Sequence, residues 1–285
     1  MTISPDTEST ILPLDDGDLH VCQDGPRDAP ALLLIHGTVS WAGSWDMLVP
    51  LLTESHRVIR VDLPGHGRSA EPADGIYQVP DQARRVGEAL DRLGVGQAVV
   101  VGHSSGGLAA TALAEQRPDL VTALTLINTG PGMDAFIAQE SAAVDPSRWP
   151  PTDEQIRLLA STGFGTDFEI PQEFVDRVRG MTFGTFAATM QAGQIYLQQR
   201  TLPERLKALG KPLLVIFGED DRRWRSSSAA DYRVVPDATV ELLPGVGHTP
   251  IMEDPPRTAA LLLSFAALHP AQPGAEAPDV PDLMA

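Results

Sequence analysis

The stretch Val99–Gly107, VVVGHSSGG, runs three valines into a pair of serines set among glycines. Apolar residues without alternation suit a strand covered on both faces. Directly behind the valines, Gly102-His-Ser-Ser-Gly106 fits G-x-S-x-G, the sharp strand-to-helix turn that presents a serine hydroxyl in a strained, exposed position. Glycine is needed two residues to either side, because a Cβ at those places would collide within so tight a turn. On this reading Ser104 is a candidate nucleophile. The helix that opens behind it aims its first backbone N–H groups, that of Ser105 among them, at any negative charge forming near the hydroxyl.

Outward from this turn, strand-like runs alternate with helical ones. Residues 31–37, 57–65, 97–104, 121–129, 211–219 and 238–245 read as strands, and helical spacing is found at 44–54, 79–94, 106–118 and 255–268. The alternation predicts an α/β fold, a mostly parallel sheet wrapped by helices. Near the start, STILPLDDG and DLHVCQDG, joined at Asp16-Gly17, predict an antiparallel hairpin at one edge. Between Thr129 and Lys211 no strand candidate occurs, while residues 152–162, 172–180 and 185–200 carry helical patterns. That places a helical insertion at 131–208, dividing a core made of 1–130 and 209–269. From Pro270 the chain reads PAQPGAEAPDVPDLMA, with too few large apolar residues to offset its ordering entropy, and 270–285 is expected to be a disordered tail.

A serine hydroxyl is a poor nucleophile at neutral pH and needs a base, which in turn needs an orienting acid. After the strand beyond the insertion comes FGEDDRRW, where Asp220 or Asp221 stands at the strand's carboxyl end. LLPGVGHTPIMEDP then puts His248 in a Gly-rich loop behind the last strand, with an acidic run before the closing helix. The oxyanion of a tetrahedral intermediate also needs donors, and the loop after the third strand, HGTVSWAGSW, offers the N–H of Thr38 alongside that of Ser105.

Taken in order, LLLIHG, VDLPGHGRS, VVVGHSSGG, VIFGEDD and GVGHTPIMEDP resemble the α/β-hydrolase superfamily over roughly residues 10–268. The resemblance implies an eight-stranded, mostly parallel sheet flanked by helices, with the insertion after strand 6 acting as a cap over the active site. It also selects Asp221 as the acid, the fourth residue of a Gly-x-x-Asp turn beginning at Gly218, with Asp220 second. Ser104 argues against haloalkane dehalogenases and most epoxide hydrolases, which carry aspartate at the elbow. The HGGG of many lipases and the HGGPG of proline iminopeptidases are replaced here by HGTVS. LINTGPGM resembles the matching segment of carbon–carbon bond hydrolases, yet Thr249 stands after the histidine where those enzymes usually have Trp.

The expectation is therefore a serine hydrolase acting through an acyl-enzyme on a small or medium, apolar ester, thioester or lactone. Carbon–carbon cleavage of a meta-cleavage-type diketone is the second reading. A non-hydrolytic member of the fold (lyase, cyclase, cofactor-free oxygenase or ligand receptor) is the third, since a fold does not fix a function. The formal net charge of −17 and pI near 4.6 argue against nucleic acid and anionic membrane surfaces as partners, leaving a small-molecule substrate. The opening MTISPDTEST lacks a signal-peptide pattern, and no apolar run reaches the roughly 18 residues of a membrane span, so a cytoplasmic location is expected. Cys22 is the only cysteine, which rules out an internal disulfide. His36, His66 and His103 lack the spacing of a metal set and read as packed or hydrogen-bonded supports. No phosphate-cradling glycine motif is present, so neither metal nor cofactor is implied. The aromatic and Met residues of the insertion, Phe164, Phe168 and Phe186 among them, are its own core or a pocket lining; spacing alone does not separate the two.

Overall fold

The computed structural model describes residues 7–138 and 146–272. One sheet of eight strands runs through it: β1 Glu8–Leu12, β2 Leu19–Asp24, β3 Ala31–Ile35, β4 Arg57–Val61, β5 Ala98–His103, β6 Val121–Ile127, β7 Leu213–Gly218 and β8 Thr239–Leu243, in the spatial order β1-β2-β4-β3-β5-β6-β7-β8. β1 pairs antiparallel with β2, and β2 antiparallel with β4; every later pairing is parallel. The opening hairpin thus caps one edge, and the sheet is the α/β arrangement that the alternation predicts.

Burial follows from this order. β3, β4, β5 and β7 are buried along their whole length, whereas the edge strands β1 and β8 are largely open. Successive residues of a strand face opposite ways, so each central strand feeds two cores. Leu33, Val100, Leu124 and Val215 pack on one side with the inner faces of α1, Val79–Arg92, and α2, Gly106–Gln116. Leu32, Val101, Ala123 and Ile216 pack on the other with Leu262 and Phe265 of the closing helix, Pro255–Leu268. In α1 the buried Val79, Ala83, Val86 and Leu90 recur at helical spacing, and Pro80 sits in the first turn, where a missing N–H costs nothing. Burying one such Leu or Val side chain is worth about 1.5–3 kcal/mol, and having both faces to fill explains the unbroken apolar runs.

Between β6 and β7 the described chain runs through α3 Asp153–Ala160, α4 Gln172–Gly180, α5 Phe183–Gln199 and α6 Leu202–Leu209. Thr152 and Thr201 each close a capping box onto the helix they precede, with Gln155 and Glu204. Beyond β8 come a short helix α7, Pro250–Glu253, and then the closing helix, α8. One expectation fails: residues 44–54 do not form an α-helix but two short 3-10 segments, Ala42–Trp45 and Val49–Leu51. Pro50 has no N–H to donate, and most of the surrounding bonds, such as Leu48 N–H to Trp45 O at 2.8 Å, span three residues rather than four. The expected tail lies outside the described residues beyond Gln272.

Candidate active site

Parallel strands deliver their carboxyl ends to one rim, and the sheet order reverses at β3, which lies between β4 and β5; such switch points leave a crevice. The loops after β3, β5, β7 and β8 meet there. Ser104 comes directly after β5 with φ 53°, in the left-handed region that a serine rarely adopts. The turn is as crowded as the motif requires: a Cβ on Gly102 would lie 2.5 Å from the Gly106 carbonyl oxygen, and one on Gly106 would lie 2.2 Å from that of Ile35.

Ser104 Oγ is 3.0 Å from His248 Nε2 and donates to it, and His248 Nδ1 donates to Asp221 Oδ2 at 2.9 Å. Asp221 is buried, and its oxygens are well occupied. Oδ1 accepts the N–H groups of Arg223 (2.7 Å) and Trp224 (3.1 Å), and Oδ2 also accepts Asn128 Nδ2 (2.8 Å). Burial pushes the Asp221 carboxyl upward, but the His248 imidazole and these donors outweigh it and hold the group below the usual carboxylate range. Asp220 is exposed and makes no contact with the imidazole.

Ser105 is the N-cap of α2, so its N–H stands at the positive end of that helix. Thr38 N–H donates to Ser105 Oγ at 2.7 Å, and the Thr38 and Ser105 hydroxyls are 2.9 Å apart. Both candidate oxyanion donors therefore sit beside the elbow, with Thr38 engaged by the neighbouring hydroxyl. Ser104 and His248 open on a cavity of about 40 Å³, whose walls include Val39, Phe164, Phe174, Arg223 and Met252.

A model of the alpha/beta hydrolase family matches residues 32–261. The chain belongs to that family. It is 27% identical over 252 residues to a provisional 2-succinyl-6-hydroxy-2,4-cyclohexadiene-1-carboxylate synthase of Bacillus subtilis strain 168, covering 82% of this chain and 89% of the other. It is 30% identical over 244 residues to a pimeloyl-[acyl-carrier protein] methyl ester esterase of Nitrosomonas europaea, covering 80% and 92%. The solved structure of a Rhodococcus 2-hydroxy-6-oxo-6-phenylhexa-2,4-dienoate hydrolase superposes with a TM-score of 0.79 at 20% identity, covering 92% of this chain and 99% of that one; the likeness is one of fold.

In this alpha/beta hydrolase His36, His66 and His103 each bond backbone groups. His103 Nε2–H donates to the His248 carbonyl at 2.8 Å, and burial, with the neighbouring imidazole second, pushes its pKa down to about 3. His36 Nδ1–H donates to Gly37 O at 2.7 Å while its Nε2 accepts Leu63 N–H at 2.9 Å, a pattern that fixes a neutral ring. His66 Nδ1–H donates to Pro64 O at 3.0 Å, and burial pushes it down to about 3. Among the described residues no group of three His, Cys, Asp or Glu side chains could hold a metal ion, and no helix is long and apolar enough to cross a membrane.

Three residues escape a reading of the sequence. Asn128, at φ 45°, braces Asp221 and also accepts Gly218 N–H at 3.2 Å; its only signal is a polar residue ending an apolar strand. Glu253, inside the acidic run after His248, accepts the N–H groups of Gly247 and Thr249 at 2.8 Å each. It also accepts Gly165 N–H at 2.8 Å, so one carboxylate holds both flanks of His248 and a turn of the insertion. Phe174, on α4, lines the cavity and packs against Trp41 with ring centroids 6.2 Å apart.

Proposed function

We propose that the protein is a serine hydrolase that opens a carboxylic ester, thioester or lactone through an acyl-enzyme. The observation that carries this reading is the continuous hydrogen-bonded chain from Ser104 Oγ through His248 to Asp221, 3.0 and 2.9 Å in its two links, beginning at a backbone-strained serine that faces a cavity. In the proposed cycle Ser104 Oγ attacks the carbonyl carbon as His248 Nε2 takes its proton, and Asp221 holds the imidazolium that results. The N–H groups of Ser105 and Thr38 receive the oxyanion, the latter once released from the Ser105 hydroxyl. The carbon–oxygen (or carbon–sulfur) bond to the leaving group then breaks, and His248 returns the proton to that group. A water deprotonated by His248 releases the acid from Ser104.

In this reading the helices between β6 and β7 act as a cap. Ala160, Gly163, Phe164 and Phe174 of that segment line the cavity opposite Val39 and Met252, which makes it mostly apolar. Thr249 Oγ1 donates to Gly163 O at 2.6 Å, so the hydroxyl next to His248 serves cap contact. Nothing in that contact favours carbon–carbon cleavage over ester cleavage.

The test is active-site titration: a fluorophosphonate should label one residue, Ser104, and p-nitrophenyl acetate should give a burst of about one equivalent of p-nitrophenolate before a slower steady rate. An unlabelled Ser104 in a folded chain, with no burst, defeats the acyl-enzyme reading.

A further inference from the structure

Arg223 stands two residues beyond the proposed acid, on the wall of the same cavity as Ser104 and His248. Its guanidinium lies beside Gly163, and of its five N–H donors one is given to the protein among the described residues, Nη2 to Leu159 O at 3.3 Å. Nε is buried with no partner. Among the described residues no carboxylate pairs with this guanidinium, whereas the buried Arg60 is matched to Asp24 at 2.8 Å. Asp221, whose charge Arg223 feels, has both oxygens occupied by His248, Asn128 and two backbone N–H groups. Burial works against the Arg223 charge, and Asp221 offsets this only in part.

A guanidinium with idle donors on the wall of an apolar cavity is costly unless something pairs with it. A planar carboxylate matches its fork with two parallel charge-assisted bonds, where a neutral ester tail offers none. From this we infer that the substrate carries a carboxylate in addition to the bond that is cleaved, and that Arg223 is the residue that binds it. The natural substrates are then half-esters, half-thioesters or lactone acids rather than the purely apolar esters that the lining suggests. A single cation in an acidic protein suits a monoanion better than a phosphate dianion. The inference rests on the hydrolase reading for the bond cleaved, but not for the binding of the anion.

Two measurements separate the two claims. In the first, hydrolysis of mono-p-nitrophenyl glutarate is compared with that of the neutral p-nitrophenyl valerate and of a phosphorylated ester of the same length. The wild type should favour the glutarate by about 10- to 100-fold in kcat/KM, the range one charge-assisted contact supplies. Arg223→Gln should bring the ratio of the two near one, and Arg223→Lys should restore part of it. In the second, calorimetry records monomethyl glutarate and methyl valerate binding to the Ser104→Ala chain, which needs no turnover. Tighter binding of the glutarate there, lost on adding Arg223→Gln, supports the anion site even if no ester is ever cleaved, an outcome that would sink the hydrolase reading alone. Equal binding and equal turnover of the charged and neutral compounds by the wild-type chain overturns the proposal whether or not the variants fold. A preference for the phosphorylated ester overturns the choice of carboxylate.

Discussion

At the carboxyl ends of β5, β7 and β8, Ser104, His248 and Asp221 form one hydrogen-bonded chain. At the hairpin edge Ser9, His20 and Asp62 form another, with Ser9 Oγ 2.8 Å from His20 Nε2 and His20 Nδ1 2.7 Å from Asp62 Oδ2. The connectivity is the same, and the surroundings are not. Burial opposes charge on His20, but the hydrogen bond to Asp62, then the contact with Cys22 Sγ and the negative charge of Asp62, outweigh it and raise its pKa to about 9. At neutral pH both ring nitrogens therefore donate, one to Asp62 and one to Ser9. Ser9 Oγ also accepts Arg68 Nη1 at 2.9 Å, so it has neither a base to take its proton nor a free lone pair to attack with. It lies in the regular register of β1, opposite Cys22, whereas Ser104 is bent to φ 53° at the head of a helix and faces a cavity. A serine, an imidazole and a carboxylate in a row make a brace or a nucleophile according to where the protons sit and which way the backbone turns.

The sharpest way to break this contrast is to remove each serine. Ser104→Ala should lower ester turnover by a factor on the order of 10⁴–10⁶, and Ser9→Ala should change it less than about twofold, as steady-state kinetics on p-nitrophenyl esters would show. A large loss with Ser9→Ala would reverse the assignment. The acids divide the same way. Asp221→Asn should cost on the order of 10³–10⁴ in kcat, because the amide no longer fixes the imidazole tautomer. Asp62→Asn should instead weaken folding by about 3–5 kcal/mol in urea unfolding, because it breaks a buried charge contact. Asp62 accepts Ala42 N–H at 2.5 Å and Arg68 N–H at 2.8 Å as well as His20, and an amide cannot accept all three. Kinetic loss from Asp62→Asn with stability intact would erase the distinction.

How far the sequence speaks differs between the two chains. Ser104, Asp221 and His248 sit at strand ends inside short, patterned segments, and parallel topology brings strand ends to one rim, so local pattern predicts their meeting. Ser9 and His20 lie in plain strands, and what joins them is the register of β1 against β2, which no local motif encodes. Asn128, Glu253 and Arg223 fall between these cases. Each lies near a motif, but its role depends on which backbone N–H or cavity wall it reaches: loops of the core for Asn128, core and insertion together for Glu253, and the insertion for Arg223. The missing helix at 44–54 has a different cause, because apolar spacing alone does not register the N–H that Pro50 lacks.

The smallest effect offers the finest test, the pH dependence of the His20 contact. A histidine whose folded pKa is raised contributes stability that is complete below its unfolded value, near 6.5, and fades as pH climbs through about 9. Asp62, held below the ordinary carboxylate range by His20 and its backbone donors against the effect of burial, contributes above that range and is lost toward acid. The brace is thus strongest in mildly acidic solution. Unfolding free energies at pH 6 and pH 9 should differ by up to about 3 kcal/mol more in the wild type than in His20→Gln. A difference that does not shrink in the variant would mean that His20 is neutral near pH 7. Its chain would then be protonated like any serine-histidine pair ready for attack, and the silence of Ser9 would rest on backbone geometry and its Arg68 contact alone.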